Sequence, residues 1–282
     1  MNLSFSTRGW DFPWEKALDL AEEMDFAGVE LYNLQSLPAL TGRGGAFHKY
    51  NVAATVRALR DRKLTIPCLD TSCDVSAAPD CAPTLQSLLA LAAEARVPYV
   101  SAIAHEDNET LVRERLDRLL PVAEQSGVTL LLKTSGIYAD TARLRALMDD
   151  YASDCLGALW HMHHPYRDRG ESPDTTIKNL GAYVKHVHLR DSDDAEHYNL
   201  VGEGTLPIAE LMRALGSIDY DGFISLEWKP EWMEDLPDAE IIFPHFVNHM
   251  SRFENTRGRK RVSISTTTAR VSTFGRRTSL ST

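Results

Sequence analysis

Short apolar segments alternate with longer amphipathic segments along most of the chain. Apolar and β-branched runs predict eight strands, at 3–9, 28–33, 65–72, 98–104, 128–136, 156–164, 183–191 and 222–229. Apolar residues at helical spacing predict a helix after each strand, near 14–24, 51–62, 82–95, 108–126, 140–151, 173–182, 207–216 and 237–252. Eight strands that each precede a helix predict a parallel sheet closed into an α/β (β/α)8 TIM barrel.

An open, doubly wound sheet is the main alternative to the barrel. Such a sheet usually has a glycine-rich phosphate turn after its first strand, and the corresponding turn here, STRGWDF, contains no G-x-G-x-x-G pattern. Nothing between the eight units resembles a linker. We therefore expect one barrel over residues 1–254, followed by a disordered basic Ser/Thr-rich tail over residues 255–282.

The charge distribution along the chain argues against nucleic acid as a binding partner. The net charge is −10, and seven of the 30 basic residues lie after residue 254, where there is no acidic residue. The acidic barrel should repel nucleic acid, whose binding needs clustered Lys and Arg. No apolar run is long enough for a membrane span, and the N-terminus lacks the pattern of a secretory signal. We expect a cytoplasmic protein with no membrane partner; a homo-oligomer and fusion to a further domain stay open.

Polar residues cluster where the predicted strands end. In a TIM barrel the carboxyl ends of the strands surround the active site, so these residues should share one mouth. Four of the ten histidines of the chain are among them. The set predicts a polar mouth able to bind a metal: Arg8, Glu30, Asp70, His105, Lys133, His161, His164, His188, Arg190, Asp191 and Glu227.

Several of these segments are similar to a known family. The stretches AGVELYN, PCLDTS, ALWHMHHPYRDRGESP, VKHVHLRDS, YNLVGEGTLPIAELMRAL and YDGFISLEW resemble the sugar phosphate isomerase/epimerase proteins of the xylose isomerase-like superfamily. The resemblance covers residues 1 to about 254 and is most specific in the C-terminal half. It implies a TIM barrel and a sugar-like small-molecule substrate.

The resemblance also implies a metal site that this chain alters. Family members hold one divalent metal with Glu, Asp, His and Glu from strands five to eight. His188 and Glu227 match the last two, whereas Lys133 and His161 stand where the family has Glu and Asp. The remaining ligand set, His161, His188 and Glu227, would suit Mn, Zn or Mg. Lys133 has no lone pair when charged, so either it is neutral or swung aside beside a metal, or it occupies the metal's place and pairs with Glu227.

The resemblance implies proton abstraction next to a carbonyl. Glu227 is the expected base, and Lys133 could polarise the carbonyl, act as a second acid or base, or form a Schiff base. The expected substrate contacts are His164, His105, Glu30, Asp70 and Trp160. The leading hypothesis is an isomerase or epimerase of a sugar or polyol. The alternatives are a lyase of the dehydratase or deglycosidase type on a keto-sugar or keto-inositol, and a non-catalytic ligand-binding barrel that lost its metal.

Overall fold

A computed structural model describes residues 1–194, 197–232 and 238–253. Within these ranges the chain forms ten strands: β1 Asn2–Ser6, β2 Gly28–Tyr32, β3 Leu69–Asp70, β4 Tyr99–Ala102, β5 Thr129–Lys133, β6 Leu156–His161, β7 Val184–Leu189, β8 Asp191–Ser192, β9 Tyr198–Asn199 and β10 Phe223–Leu226. The predicted boundary at residue 254 and the tail 255–282 lie outside the described residues.

Helices connect the strands. They are α1 Trp14–Glu23, α2 Pro38–Thr41, α3 Val52–Asp61, α4 Ala82–Ala95, α5 Glu109–Ser126, α6 Thr141–Tyr151, α7 His163–Arg169, α8 Pro173–Leu180 and α9 Ile208–Ser217, and residues 239–253 are also helical. Three of them begin at a side chain that accepts a bond from a backbone N–H of the first turn: Asn108 for α5, Asp140 for α6 and Ser172 for α8. No helix within the described ranges is long and apolar enough to cross a membrane.

Eight of the strands form a closed parallel barrel, in the order β1-β10-β7-β6-β5-β4-β3-β2. The barrel closes through β1, where Phe5 lies opposite Leu226 of β10 on one side and Val29 of β2 on the other. The predicted TIM barrel is therefore confirmed. The two remaining strands, β8 and β9, form a small antiparallel hairpin beside the mouth.

Every predicted barrel strand is longer than the observed one, and the difference affects the site at two of them. The third prediction, 65–72, reduces to β3 with an isolated bridge at Thr65, because Pro67 interrupts the ladder. The sixth, 156–164, ends at His161, and the chain enters α7 at His163. His163 and His164 therefore lie on a helix above the barrel.

The hydrophobic core consists of two clusters, and the site lies above the smaller one. The larger cluster fills the space between strands and helices, and the helix 239–253 joins it through Phe243, whose ring stacks on Phe5 at 4.3 Å. A second, small cluster is formed by Cys68, Leu131 and Leu159. Side chains two residues further along a strand share its face, so β5 and β6 place Lys133 and His161 directly above this apolar floor.

Candidate active site

The carboxyl ends of the strands gather most of the predicted site residues. Eight residues of the predicted mouth are buried, Arg190 and Asp191 among them. The other six come from six different strands or the residue that follows one: Glu30, Asp70, Lys133, His161, His188 and Glu227. Buried charged groups must be paired, so the pairing among them defines the chemistry that the site can perform.

Glu227 follows the last residue of β10 and is fully buried. One carboxylate oxygen accepts a bond from Nη1 of Arg8; the other lies 2.5 Å from Nε2 of His161 and 3.2 Å from Nη1 of Arg190. Burial alone would raise the pKa of Glu227, but His161 and Arg190, with Arg8, hold it well below its usual value. Burial lowers the pKa of His161 well below its usual value, against the opposing effect of Glu227. The carboxylate is thus ionised and the imidazole neutral.

Lys133 forms an ion pair with Asp70 and none with Glu227. Its Nζ lies 2.9 Å from Oδ2 of Asp70, and the hydroxyl of Ser101 donates to the other carboxylate oxygen. Burial favours the neutral amine, but Asp70, and next Glu227, outweigh it and raise the pKa of Lys133. The expected Lys133–Glu227 pair is therefore replaced by a Lys133–Asp70 pair, in which Lys133 is charged.

Glu30, a predicted substrate contact, is fully buried, and three side chains hold its carboxylate. Nε2 of His186 lies 2.5 Å from its carboxylate, Nε2 of His188 lies 2.9 Å away, and the hydroxyl of Ser225 donates at 2.9 Å. Burial would raise the pKa of Glu30, but His188 and His186 lower it below its usual value. With three partners and no exposed surface, Glu30 supports the floor of the site.

Helix α7 carries a histidine pair at the mouth. His164 is 23% exposed at its side chain; its Nδ1 lies 2.8 Å from Oδ2 of Asp168, and its Nε2 lies 3.3 Å from Nη2 of Arg190. Burial lowers the pKa of His164, and Asp168 opposes that shift. The ring of His164 is 4.4 Å from the ring of His161. The structure thus brings the predicted substrate contact His164 next to the buried Glu227 cluster.

Two other predicted contacts do not join this cluster. His105 is 55% exposed and lies beside Asp74, with 3.6 Å between Nδ1 and Oδ2. Trp160 precedes His161 on β6, so strand alternation turns it to the opposite face, where it packs in the cluster between strands and helices. The ring of Trp232 lies 5.3 Å from the guanidinium of Arg190.

Three residues bind the carboxylates of the site although the sequence analysis assigned them no such role. Arg8 and Arg190 both bind Glu227, and His186 binds Glu30. A signal was present in the spacing: His186, His188 and Arg190 alternate along β7 and its end, so they share the inner face.

Asp191, which the sequence places at the mouth, anchors a loop there. Asp191 accepts backbone N–H bonds from Ser192, Gly202, Gly204 and Leu206, and so holds the VGEGTLP loop.

Comparison with known protein families shows which family the chain belongs to. The xylose isomerase-like TIM barrel family matches residues 18–242. The chain belongs to this family. The resemblance noted in the sequence is thereby confirmed.

Named relatives agree with the expectation of an enzyme. The fructoselysine 3-epimerase of Escherichia coli O157:H7 is 28% identical over 129 residues, which are 43% of this chain and 46% of the relative. The chain therefore aligns with less than half the length of this curated relative. Alignments of such length do not transfer an activity, but they place the chain among proteins that include sugar epimerases.

Solved structures share the whole fold. D-psicose 3-epimerase with D-tagatose from Clostridium cellulolyticum H10 has a TM-score of 0.74 at 14% identity, covering 90% of this chain and 99% of its own. The probable 3-DHS dehydratase AsbF from Bacillus anthracis has a TM-score of 0.73 at 17% identity, covering 89% and 99%. The IOLI protein with a zinc atom has a TM-score of 0.72 at 14% identity, covering 90% and 96%.

The predicted ligands His161, His188 and Glu227 do converge, with one ligand atom of each within 4.8 Å of the others. However, Nε2 of His161 faces Glu227 and Nε2 of His188 faces Glu30, at distances where each imidazole donates an Nε2–H to a carboxylate. Coordination through Nε2 would move that proton to Nδ1, which metal-bound histidines normally satisfy with a carboxylate or carbonyl. Both Nδ1 atoms are buried without a partner in the described part of the chain. As arranged here, the residues do not fit a divalent ion.

Proposed function

We propose that the chain is an isomerase or epimerase of a small sugar or polyol that moves a proton next to a carbonyl. Glu227 is the base and Lys133 the group that polarises the carbonyl oxygen. The observation that carries the proposal is the buried pairing at the barrel mouth: an ionised Glu227 positioned by Arg8 and Arg190, beside a charged Lys133 held by Asp70.

The charged state of Lys133 selects among its expected roles. A Schiff base requires a neutral amine, and the raised pKa of Lys133 keeps it protonated near neutral pH. A protonated Lys133 donates hydrogen bonds and carries positive charge, which is what a developing enolate oxygen needs. Lys133 therefore acts as the electrophile and proton donor.

Because the pKa of Glu227 is low, the other residues of the site must make the substrate C–H bond more acidic. A strongly acidic carboxyl group is a weak base, so the substrate C–H must be acidified by stabilising the enolate. Lys133 and the two guanidinium groups supply that stabilisation. Arg8, which is 29% exposed, and His164 lie at the mouth, so substrate reaches Glu227 past these two side chains.

A dehydratase is the second candidate. Elimination needs a proton donor for the departing hydroxyl group in addition to the base that removes the C–H proton. The ammonium group of Lys133 supplies such a proton, because Asp70 holds it at the mouth of the barrel. The two reactions share the first step and differ in where the second proton is delivered.

The test uses a panel of ketoses, aldoses and keto-inositols incubated with the purified chain in D2O. We expect deuterium at the carbon next to the carbonyl, with an epimer or isomer as product by NMR. Glu227→Gln should reduce exchange by at least about 100-fold. The matched control is Glu210→Gln on the exposed face of α9, which should leave the rate unchanged.

The products separate the candidates. Loss of a water from the substrate, seen by mass and ultraviolet absorbance, would replace the isomerase with the dehydratase. Ligand binding without exchange across the whole panel would overturn both and leave a binding barrel.

A further inference from the structure

We propose that this site works without a divalent metal ion, and that the ammonium group of Lys133, held by Asp70, supplies the positive charge that the ion supplies elsewhere in the family. The catalytic half of this inference rests on the proposed function; the metal-binding half does not.

The first argument is the count of fixed cations. Arg8, Lys133 and Arg190 each bond to a carboxylate at the mouth, and both guanidinium groups share Glu227. An arginine keeps its charge at any physiological pH. A divalent ion bound by Glu227 would therefore lie beside two permanent cations in a buried region where charges interact strongly.

The second argument is charge balance. Asp70 is paired with Lys133 and Glu227 with the two arginines, so the three cations equal in number the three buried carboxylates Asp70, Glu227 and Glu30. Family-type sites present three carboxylates to the ion, which leaves an excess of negative charge for it to neutralise. Here that excess is already neutralised by side chains.

The third argument is the geometry of Lys133. An ammonium group has three N–H donors, and Asp70 accepts the one side-chain hydrogen bond that Nζ makes within the described ranges. Ser101 donates to the other oxygen of Asp70, so the carboxylate is fixed as an acceptor on β3. Lys133 lies on β5 above the apolar floor, at the position where the family has a metal-binding glutamate. Its remaining N–H groups can donate to a substrate oxygen there.

The first measurement is metal binding by the full-length chain after removal of metal with a chelator. Zn2+, Mn2+ and Mg2+ are titrated separately by calorimetry, and bound metal is measured by elemental analysis after dialysis. We expect no stoichiometric uptake by the unmodified chain. Uptake of about one ion per chain that is lost in His161→Gln would overturn the inference, whatever the substrate proves to be.

The decisive variant is Lys133→Glu, which removes the ammonium and adds a carboxylate. We expect its affinity for Mn2+ or Zn2+ to exceed that of the unmodified chain by at least about tenfold. The matched control is Lys185→Glu on β7, whose side chain alternates away from the inward His186. This control makes the same charge change outside the barrel and should gain no metal.

A folded Lys133→Glu chain that takes up no metal would overturn the idea that Lys133 stands in the ion's place. If circular dichroism shows that Lys133→Glu does not fold, Lys133→Gln removes the ammonium without adding a carboxylate, and we expect it too to bind Mn2+ or Zn2+ more tightly than the unmodified chain does. The catalytic half is tested with the substrate found above, whose turnover should be unaffected by chelator. Turnover that needs added metal would overturn this half while leaving the proposed reaction intact.

Discussion

Lys133 and Asp70 form a buried ion pair between two strands that are not neighbours. Lys133 ends β5, Asp70 ends β3, and Ser101 of the intervening β4 donates to the same carboxylate. The three side chains therefore tie three consecutive barrel strands together at their carboxyl ends, directly under the mouth.

Breaking this pair from one side should destabilise the fold. Asp70→Asn leaves a buried ammonium without a counter-charge, and we expect the free energy of unfolding in urea to fall by about 3–5 kcal/mol. Asp70→Asn combined with Lys133→Met removes both charges and should recover a large part of that loss. A single variant as stable as the unmodified chain would contradict the pairing.

The VGEGTLP loop should depend on Asp191. Its carboxylate accepts four backbone N–H groups, so Asp191→Asn would turn an amide NH2 toward donors and leave some of them unpaired. We expect a loss of about 2–3 kcal/mol in the free energy of unfolding. Asp174→Asn, whose side chain is exposed on α8, is the control and should change stability little. Equal stability of the two variants would exclude this role of Asp191.

Stability should decline with acidity over the range in which free histidine titrates. Burial lowers the pKa of His163 to about 3, below the value near 6.5 of an unfolded chain. Between these values the unfolded state binds a proton that the folded state does not, so unfolding becomes easier as pH falls from about 6.5. Burial lowers the pKa of His161 and His186 in the same direction.

Urea titrations at pH 7.5, 6.5, 5.5 and 5.0 measure this dependence. His163→Gln should remove about 1–2 kcal/mol of the decline between pH 6.5 and pH 5. His105→Gln, at a position where the side chain is 55% exposed, is the matched control for the loss of an imidazole. A profile that is the same in His163→Gln as in the unmodified chain would contradict the burial argument.

Cys73 should be the most readily ionised of the four thiols. A hydrogen bond with Cys81 lowers the pKa of Cys73 to about 7, against the effect of burial. Burial raises the pKa of the Cys68 thiol and that of the Cys155 thiol. The rate of iodoacetamide labelling at Cys73, followed by mass spectrometry, should have its midpoint near pH 7. Cys81→Ala should move that midpoint upward, and an unchanged midpoint would exclude the thiol–thiol bond.

The fold was largely readable from the sequence because strand and helix patterns have different periods. Continuous apolar runs such as VTLLL mark strands buried on both faces, and eight of them admit few arrangements. The errors in the predicted secondary structure lie at the ends of the strands. The run LGALWHMHH is apolar and aromatic throughout, so no change of pattern marks the point where β6 gives way to α7.

The site was less readable, because pairing depends on which strands face each other across the barrel. Residue type and strand-end position suffice to gather Lys133, Asp70 and Glu227 in one mouth. They do not tell which carboxylate the ammonium binds, since β3 and β10 both present one to the interior. Trp160 shows the complementary error: its neighbour His161 is in the site, but adjacent residues of a strand face opposite sides.

The hydrogen bond between Glu30 and His186 joins residues 156 positions apart, and β1 meets β10 only when the last barrel strand has been made. During translation at about 5–20 residues per second, Glu30 therefore waits roughly 8–30 seconds for its partner to be synthesised. Through that interval the carboxylate stays in water and β1 keeps an unpaired edge. The nascent barrel is thus open to wrong strand pairing until β10 has been made.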